Sequence, residues 1–179
     1  SNIEFNIEGN PYSEKSKDYP GFIQLVNEIE PDQCTLVPDA PDQLTSDHGW
    51  QIDGKDHNVL INIIEELKTD KTRVSLFVDP DIKQIENIKS IGANRIELYT
   101  GPYALNPILE VLSSYETSYN YAKSIGLDVN AGHDLDLENL KPFLDRAPVD
   151  EVSIGHALIS DALIDGLDTV TKKYLDLCK

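Results

Sequence analysis

Six short runs rich in β-branched and apolar residues, each followed by a segment of helical period, constrain this chain more than any other feature. The runs are Asn2–Asn6, Cys34–Val37, Arg73–Val78, Arg95–Tyr99, Asp128–Ala131 and Glu151–Ile154. Each has the length of a strand and is bounded by turn-forming residues. Between them, apolar residues recur at three- and four-residue spacing. Phe22, Leu25, Val26 and Ile29 mark the first helix, and Val59, Leu60, Ile63, Ile64 and Leu67 the second. Ile82, Ile85, Ile88 and Ile91 mark the third, and Leu109, Leu112, Tyr115, Tyr119 and Ala122 the fourth. Leu135–Leu144 is the fifth, and the last runs through Leu163, Leu167, Val170 and Tyr174. Gly92 and Gly126 stand where left-handed helix ends are expected, Pro80 suits a first turn, and Asp134 and Asp136 suit N-caps.

Six βα units in succession imply a parallel sheet with crossover helices, and a single domain over residues 1–179. A doubly wound sheet and part of an eight-fold barrel both satisfy that pattern. No strand is followed by the glycine-rich phosphate loop of a dinucleotide fold. Polar residues of catalytic type instead end nearly every strand, as a barrel distributes its chemistry. The expectation is therefore a (β/α)8 TIM barrel whose first two βα units are missing, leaving six. The chain opens Ser1-Asn2 and contains no methionine, so its beginning is read as cut away.

Charge narrows the partners. Fifteen Lys+Arg against 32 Asp+Glu leave a net charge of -17, a field that repels nucleic acid and anionic membranes. A small phosphate ester is not excluded, because backbone N–H groups at a helix N-terminus hold anions locally. No apolar stretch has the length of a membrane span and no signal peptide precedes the first strand, so a cytoplasmic location is expected. Cys34 and Cys178 fit no zinc or redox spacing, and Cys34, in an apolar run, is expected to be buried.

The candidate site residues lie at strand ends. Val129-Asn130-Ala131-Gly132-His133 and Ser153-Ile154-Gly155-His156 each carry a strand into Gly-His. Glycine lets backbone approach a ligand, and histidine exchanges protons near neutral pH. His133 is placed to give or take a proton, and Gly155-His156 to hold a phosphate. Glu4, between Ile3 and Phe5, and Glu97, between Ile96 and Leu98, are either outward-facing strand residues or desolvated acid–base carboxyls; their repetition favours the second. Thr45 and Ser46 are either phosphate or hydroxyl ligands or turn residues. Asp79 is expected to cap the helix starting near Pro80, and His48 and His57 to be solvated. His133, His156, Glu4 and Glu97 do not stand at metal-motif spacing, so no metal is expected.

Together these stretches resemble the pyridoxine 5'-phosphate synthase family, the ring-closing enzymes of vitamin B6 synthesis. The matching residues are Asn2-Ile3-Glu4, Leu36-Val37-Pro38 with Thr45, Val74-Ser75-Leu76-Phe77-Val78-Asp79, and Ile96-Glu97-Leu98 with Thr100-Gly101-Pro102-Tyr103-Ala104. The two Gly-His stretches complete the set, in order along the whole chain.

The resemblance implies a (β/α)8 barrel assembling as a homo-octamer. It implies a transferase that condenses 1-deoxy-D-xylulose 5-phosphate with 3-amino-2-oxopropyl phosphate, giving pyridoxine 5'-phosphate, phosphate and water, with no cofactor. It makes Glu4 a general acid/base, His133 the proton donor and Glu97 the transition-state stabiliser. Thr45, Gly155 and His156 become substrate ligands. Asp134 stands where some members carry a glycine with a backbone contact to ligand; its amide remains available for that contact. The family's Asn-x-Asp-His motif and the basic residues of its first strands are absent from these residues. Two other readings remain: a different phosphate-binding barrel such as an aldolase or isomerase, and an inactive barrel fragment serving as a phosphate-ester-binding or assembly module.

Overall fold

A computed structural model describes residues 3–40, 43–53 and 57–179. In chain order the elements are β1 (Asn6–Gly9), α1 (Phe22–Ile29), β2 (Gln33–Leu36), α2 (Asn58–Leu67), β3 (Arg73–Val78), α3 (Ile82–Ser90) and β4 (Arg95–Tyr99). Then follow α4 (Gly101–Leu105), α5 (Leu109–Ser124), β5 (Asp128–Gly132), α6 (Leu140–Leu144), β6 (Glu151–Ser153), α7 (His156–Asp165) and α8 (Leu167–Leu177). The six strands form one sheet, all parallel, in the order β1-β2-β3-β4-β5-β6. A doubly wound sheet reverses its order at a switch point; this one never does.

The sheet curls. Neighbouring strands lie about 4.8 Å apart, so strands two apart are roughly 10 Å distant in a flat sheet. Yet Arg95 of β4 reaches Gln33 Oε1 on β2 at 3.1 Å and Glu151 Oε2 on β6 at 3.3 Å, and Thr35 of β2 donates to Glu97 of β4 at 3.4 Å. Side chains from non-adjacent strands meet over the concave face of a half-barrel.

Alternation along each strand explains the two faces. Cys34, Leu36, Val74, Leu76, Val78, Ile96, Leu98, Val129 and Ala131 point to the helices and are fully or almost fully buried. They pack with Leu60, Ile64, Leu67, Ile85, Ile88, Tyr115 and Ala122 of the outer layer. Burial pushes the Cys34 thiol up to about 12. The intervening positions are largely polar: Gln33, Thr35, Ser75, Arg95, Glu97 and Asn130 are also buried. A buried guanidinium must be paired, and Arg95 donates to Gln33, Asn130, Glu151 and Asp128.

Several local expectations are corrected. The first strand is Asn6–Gly9 rather than Asn2–Asn6; Asn2 lies outside the described residues, and Ile3 and Phe5 are exposed, whereas pairing with β2 begins at Asn6. The helix expected over Leu135–Leu144 shortens to α6, because the Asp136 carboxylate accepts from the Glu138 and Asn139 N–H groups and folds that stretch into a turn. The last helix begins earlier, at His156, and is broken by Gly166 (φ +84°) into α7 and α8. Asp81, not Asp79, caps α3, accepting from Lys83 and Gln84; the Asp79 carboxylate instead accepts from Gly49 N and Gln51 Nε2. Gly92 and Gly126 take positive φ after α3 and α5, as expected. No helix among the described residues is long and apolar enough to cross a membrane.

Candidate active site

The carboxyl ends of the strands open into a cavity of about 490 Å³. Thr45, Glu97, His133, Asp134, Gly155 and His156 line it, and so do Glu8, Ser46, Phe77 and Ser153. All of the candidate catalytic and binding residues expected from the sequence except Glu4 therefore come together.

Glu4 does not. It precedes β1, and its carboxylate receives both terminal nitrogens of Arg73, the first residue of β3, at the amino ends of the strands. That guanidinium holds Glu4 below the usual carboxylate range, the opposite of what a base near neutrality needs. Glu8 occupies the place expected of Glu4. The two are four residues apart and share a side of the strand, but at about 3.3 Å per residue they stand roughly 13 Å apart along it. A signal for this existed: Asn2-Ile3-Glu4 recurs as Asn6-Ile7-Glu8, and only the second copy is followed by glycine, as both strand-end histidines are preceded by it.

Glu97 lies at the floor of the cavity, 2% exposed. Burial, then repulsion from Glu8, push its carboxyl up to about 8, against hydrogen bonds from Ser153 and Thr35. Glu8 is raised as well, by protein crowding its carboxyl and by Asp39, with His133 opposing. It reaches solvent through the cavity mouth, so it is the easier of the two to ionise. With its carboxyl pushed up to about 8, Glu97 keeps its proton at neutral pH and can donate a hydrogen bond. The two carboxyls thus stand in different surroundings, one buried and one exposed.

His133 Nε2 lies 3.1 Å from Thr45 Oγ1, and its ring packs edge-on to Tyr99, centroids 5.0 Å apart. Tyr99 in turn meets Phe77 at 5.4 Å, giving the cavity an aromatic wall. Gly155 caps α7 and His156 begins it, so the first N–H groups of a ten-residue helix lie at the cavity rim.

Gly132 is required by close approach. A Cβ there would collide with Glu97 Oε1 and come within 2.9 Å of Ser153 Cβ. Gly132→Ala is expected to push the Glu97 carboxyl out of place and cut turnover about a hundredfold, since a displacement of about 1 Å costs that much. Steady-state kinetics beside a thermal melt would separate this from unfolding.

Ser153, Phe77 and Glu8 were not singled out as site residues from the sequence; strand register turns them inward, opposite Gly132, Glu97 and Thr35 respectively. Among the described residues no three His, Cys, Asp or Glu side chains are grouped to hold a metal ion.

Fold and site define an α/β protein of barrel type, with carboxyls and imidazoles converging at the carboxyl ends of parallel strands. Solved structures of that kind are similar to it. A tryptophan synthase alpha-subunit from Pyrococcus furiosus superposes with a TM-score of 0.57 at 13% identity, over 87% of this chain and 58% of that one. The Amycolatopsis orientalis BexX/CysO complex gives 0.56 at 11% identity, over 87% of this chain and 59% of the other. The chain thus spans less than two thirds of those neighbours.

Over residues 1–179 the sequence matches the family described as pyridoxal phosphate biosynthesis protein PdxJ, and the chain belongs to that family. It is 47% identical over 182 residues to the pyridoxine 5'-phosphate synthase of Xanthomonas axonopodis pv. citri, covering 99% of this chain and 71% of that protein. To the Porphyromonas gingivalis protein of the same name it is 45% identical over 177 residues, covering 97% and 71%.

Proposed function

We propose that these residues form the larger part of a pyridoxine 5'-phosphate synthase, condensing 1-deoxy-D-xylulose 5-phosphate with 3-amino-2-oxopropyl phosphate. The observation that carries the reading is the convergence of Glu8, Glu97 and His133 on one cavity. Imine formation, dehydration and phosphate loss are serial proton transfers, and each needs a weakly basic or acidic group within reach of the same bound intermediate. In this scheme Glu8 is the general acid/base, His133 the proton donor and Glu97 a neutral carboxyl that stabilises developing negative charge. Thr45 binds a substrate hydroxyl or phosphate, and Gly155-His156 receive a phosphate at the α7 N-terminus.

The same proposal completes the barrel. Among the described residues β1 and β6 each pair on one side only, and Leu163 and Ile164 of α7 are more than 80% exposed. Two further βα units closing the sheet between β6 and β1 would cover both edges and that apolar face. The curated relatives are longer than this chain by an amount of that order.

Two measurements test the function. The complete barrel, given both substrates, should release fluorescent pyridoxine 5'-phosphate; no product under conditions where both substrates bind would overturn the proposal. Gly155→Ala meets nothing within 4 Å of the added Cβ, and a thermal melt beside the kinetics checks that its backbone, at φ -90° and ψ -115°, accepts alanine. Its added methyl would stand in the space through which a phosphate approaches the α7 amides. It is therefore expected to raise the KM for a phosphorylated substrate about tenfold, as much as weakening one charge-assisted hydrogen bond would, and an unchanged KM would remove phosphate from that rim.

A further inference from the structure

His133 and Asp134 both take positive φ, 92° and 59°, although neither is glycine. Two consecutive residues in that region are strained and persist only where neighbours hold them. The Thr100 hydroxyl lies 2.6 Å from the Gly132 carbonyl and 2.5 Å from that of His133, and Asn139 Nδ2 donates to the Asp134 carbonyl at 3.0 Å. Thr100 and Asn139 are buried. The turn is thus clamped from beneath.

Its consequence is the position of the Asp134 carboxylate between two imidazoles. Oδ2 is 2.9 Å from His133 Nδ1, and Oδ1 is 3.5 Å from His156 Nδ1. On the far side of the His133 ring, Nε2 meets the Thr45 hydroxyl. Hydroxyl, imidazole and carboxylate stand in line.

We propose that Asp134 is a positioning residue, acting through its side chain on both histidines. By accepting Nδ1–H of His133 it selects the tautomer whose Nε2 is bare and faces the cavity. When Nε2 takes up a proton, the same carboxylate keeps the ring in its orientation for the return transfer. Its second oxygen draws His156 towards the cavity mouth. The strained turn, which glycine would adopt without cost, exists to present this carboxylate. The role rests on the assignment of His133 as the proton-transferring group.

Nitrogen-15 NMR of the imidazoles, at a pH where both are neutral, reads the tautomer directly. The native protein should show His133 with the proton on Nδ1. Asp134→Asn, whose amide can turn either its oxygen or its NH2 to Nδ1, should hold that tautomer less firmly and lose kcat at least about tenfold. Asp134→Gly should shift the proton towards Nε2 and lose kcat about a hundredfold with little change in KM, the range seen when a ligand's orienting partner is removed. Both substituents tolerate positive φ, so folding is preserved. A native His133 protonated on Nε2, or a tautomer that Asp134→Gly leaves unchanged, overturns the proposal whatever the rate does. Failure of the native protein to make product would sink the synthase reading and leave the tautomer comparison intact.

Discussion

Glu8→Gln is expected to reduce product formation by about three orders of magnitude without unfolding the protein, whereas Glu4→Gln should leave turnover within about twofold. General acid–base catalysis by one positioned side chain contributes roughly 10²–10⁴-fold, and Glu8 is an exposed carboxyl that lines the cavity beside Glu97. Glutamine fills the same volume and cannot take a proton. Glu4 is held by Arg73 on the rim of the opposite end. An exposed pair of this kind contributes little to stability, so its loss should be nearly silent. Equal loss in both variants would mean that the separation of the two glutamates along β1 has no bearing on catalysis.

Glu97→Gln should also abolish turnover, and it should make the protein more stable in mildly alkaline solution. The folded chain keeps a proton on Glu97 up to about pH 8, while the unfolded chain gives it up near 4.5. The stabilisation that comes from carrying this group neutral is complete below about 4.5 and is lost as pH rises through the folded value. Glutamine never ionises, so the loss does not occur. The variant should gain roughly 2–4 kcal/mol over the native protein at pH 8 and little at pH 4. Chemical denaturation at the two pH values gives the comparison. A variant less stable than the native protein at pH 8 would mean that Glu97 is ionised in the fold and satisfied by its neighbours. Burying a carboxyl at that cost, beneath a cavity, is characteristic of a functional group rather than a structural one.

Much of this arrangement could be read from residue order, for identifiable reasons. β3 and β4 begin and end where expected, because Arg73–Val78 and Arg95–Tyr99 are apolar runs with polar punctuation on each side. α3 and α5 stop where Gly92 and Gly126 permit positive φ. The first strand was displaced because two copies of Asn-Ile-Glu offer equal local propensity. Only pairing with β2, which sets Asn6 opposite Gln33, chooses between them. Helical period runs unbroken from Leu163 to Tyr174, and the chain turns between them where Gly166 takes a φ of +84°. In the site, Gly-His at two strand ends carried its own signal. Ser153 and Phe77 did not, since a serine or phenylalanine faces a cavity only through the parity of its strand. The part played by the Asp134 carboxylate depends on a left-handed backbone that no residue type announces.

The carboxyl carbon of Glu97, followed by carbon-13 NMR through a pH titration, tests most directly whether these groups share one hollow. Its midpoint should fall near 8 in the native protein, drop when Glu8→Gln removes the facing charge, and stay put in Glu4→Gln. A midpoint near 4.5, or one indifferent to Glu8, would contradict the convergence of β1 and β4 on a common acid–base site.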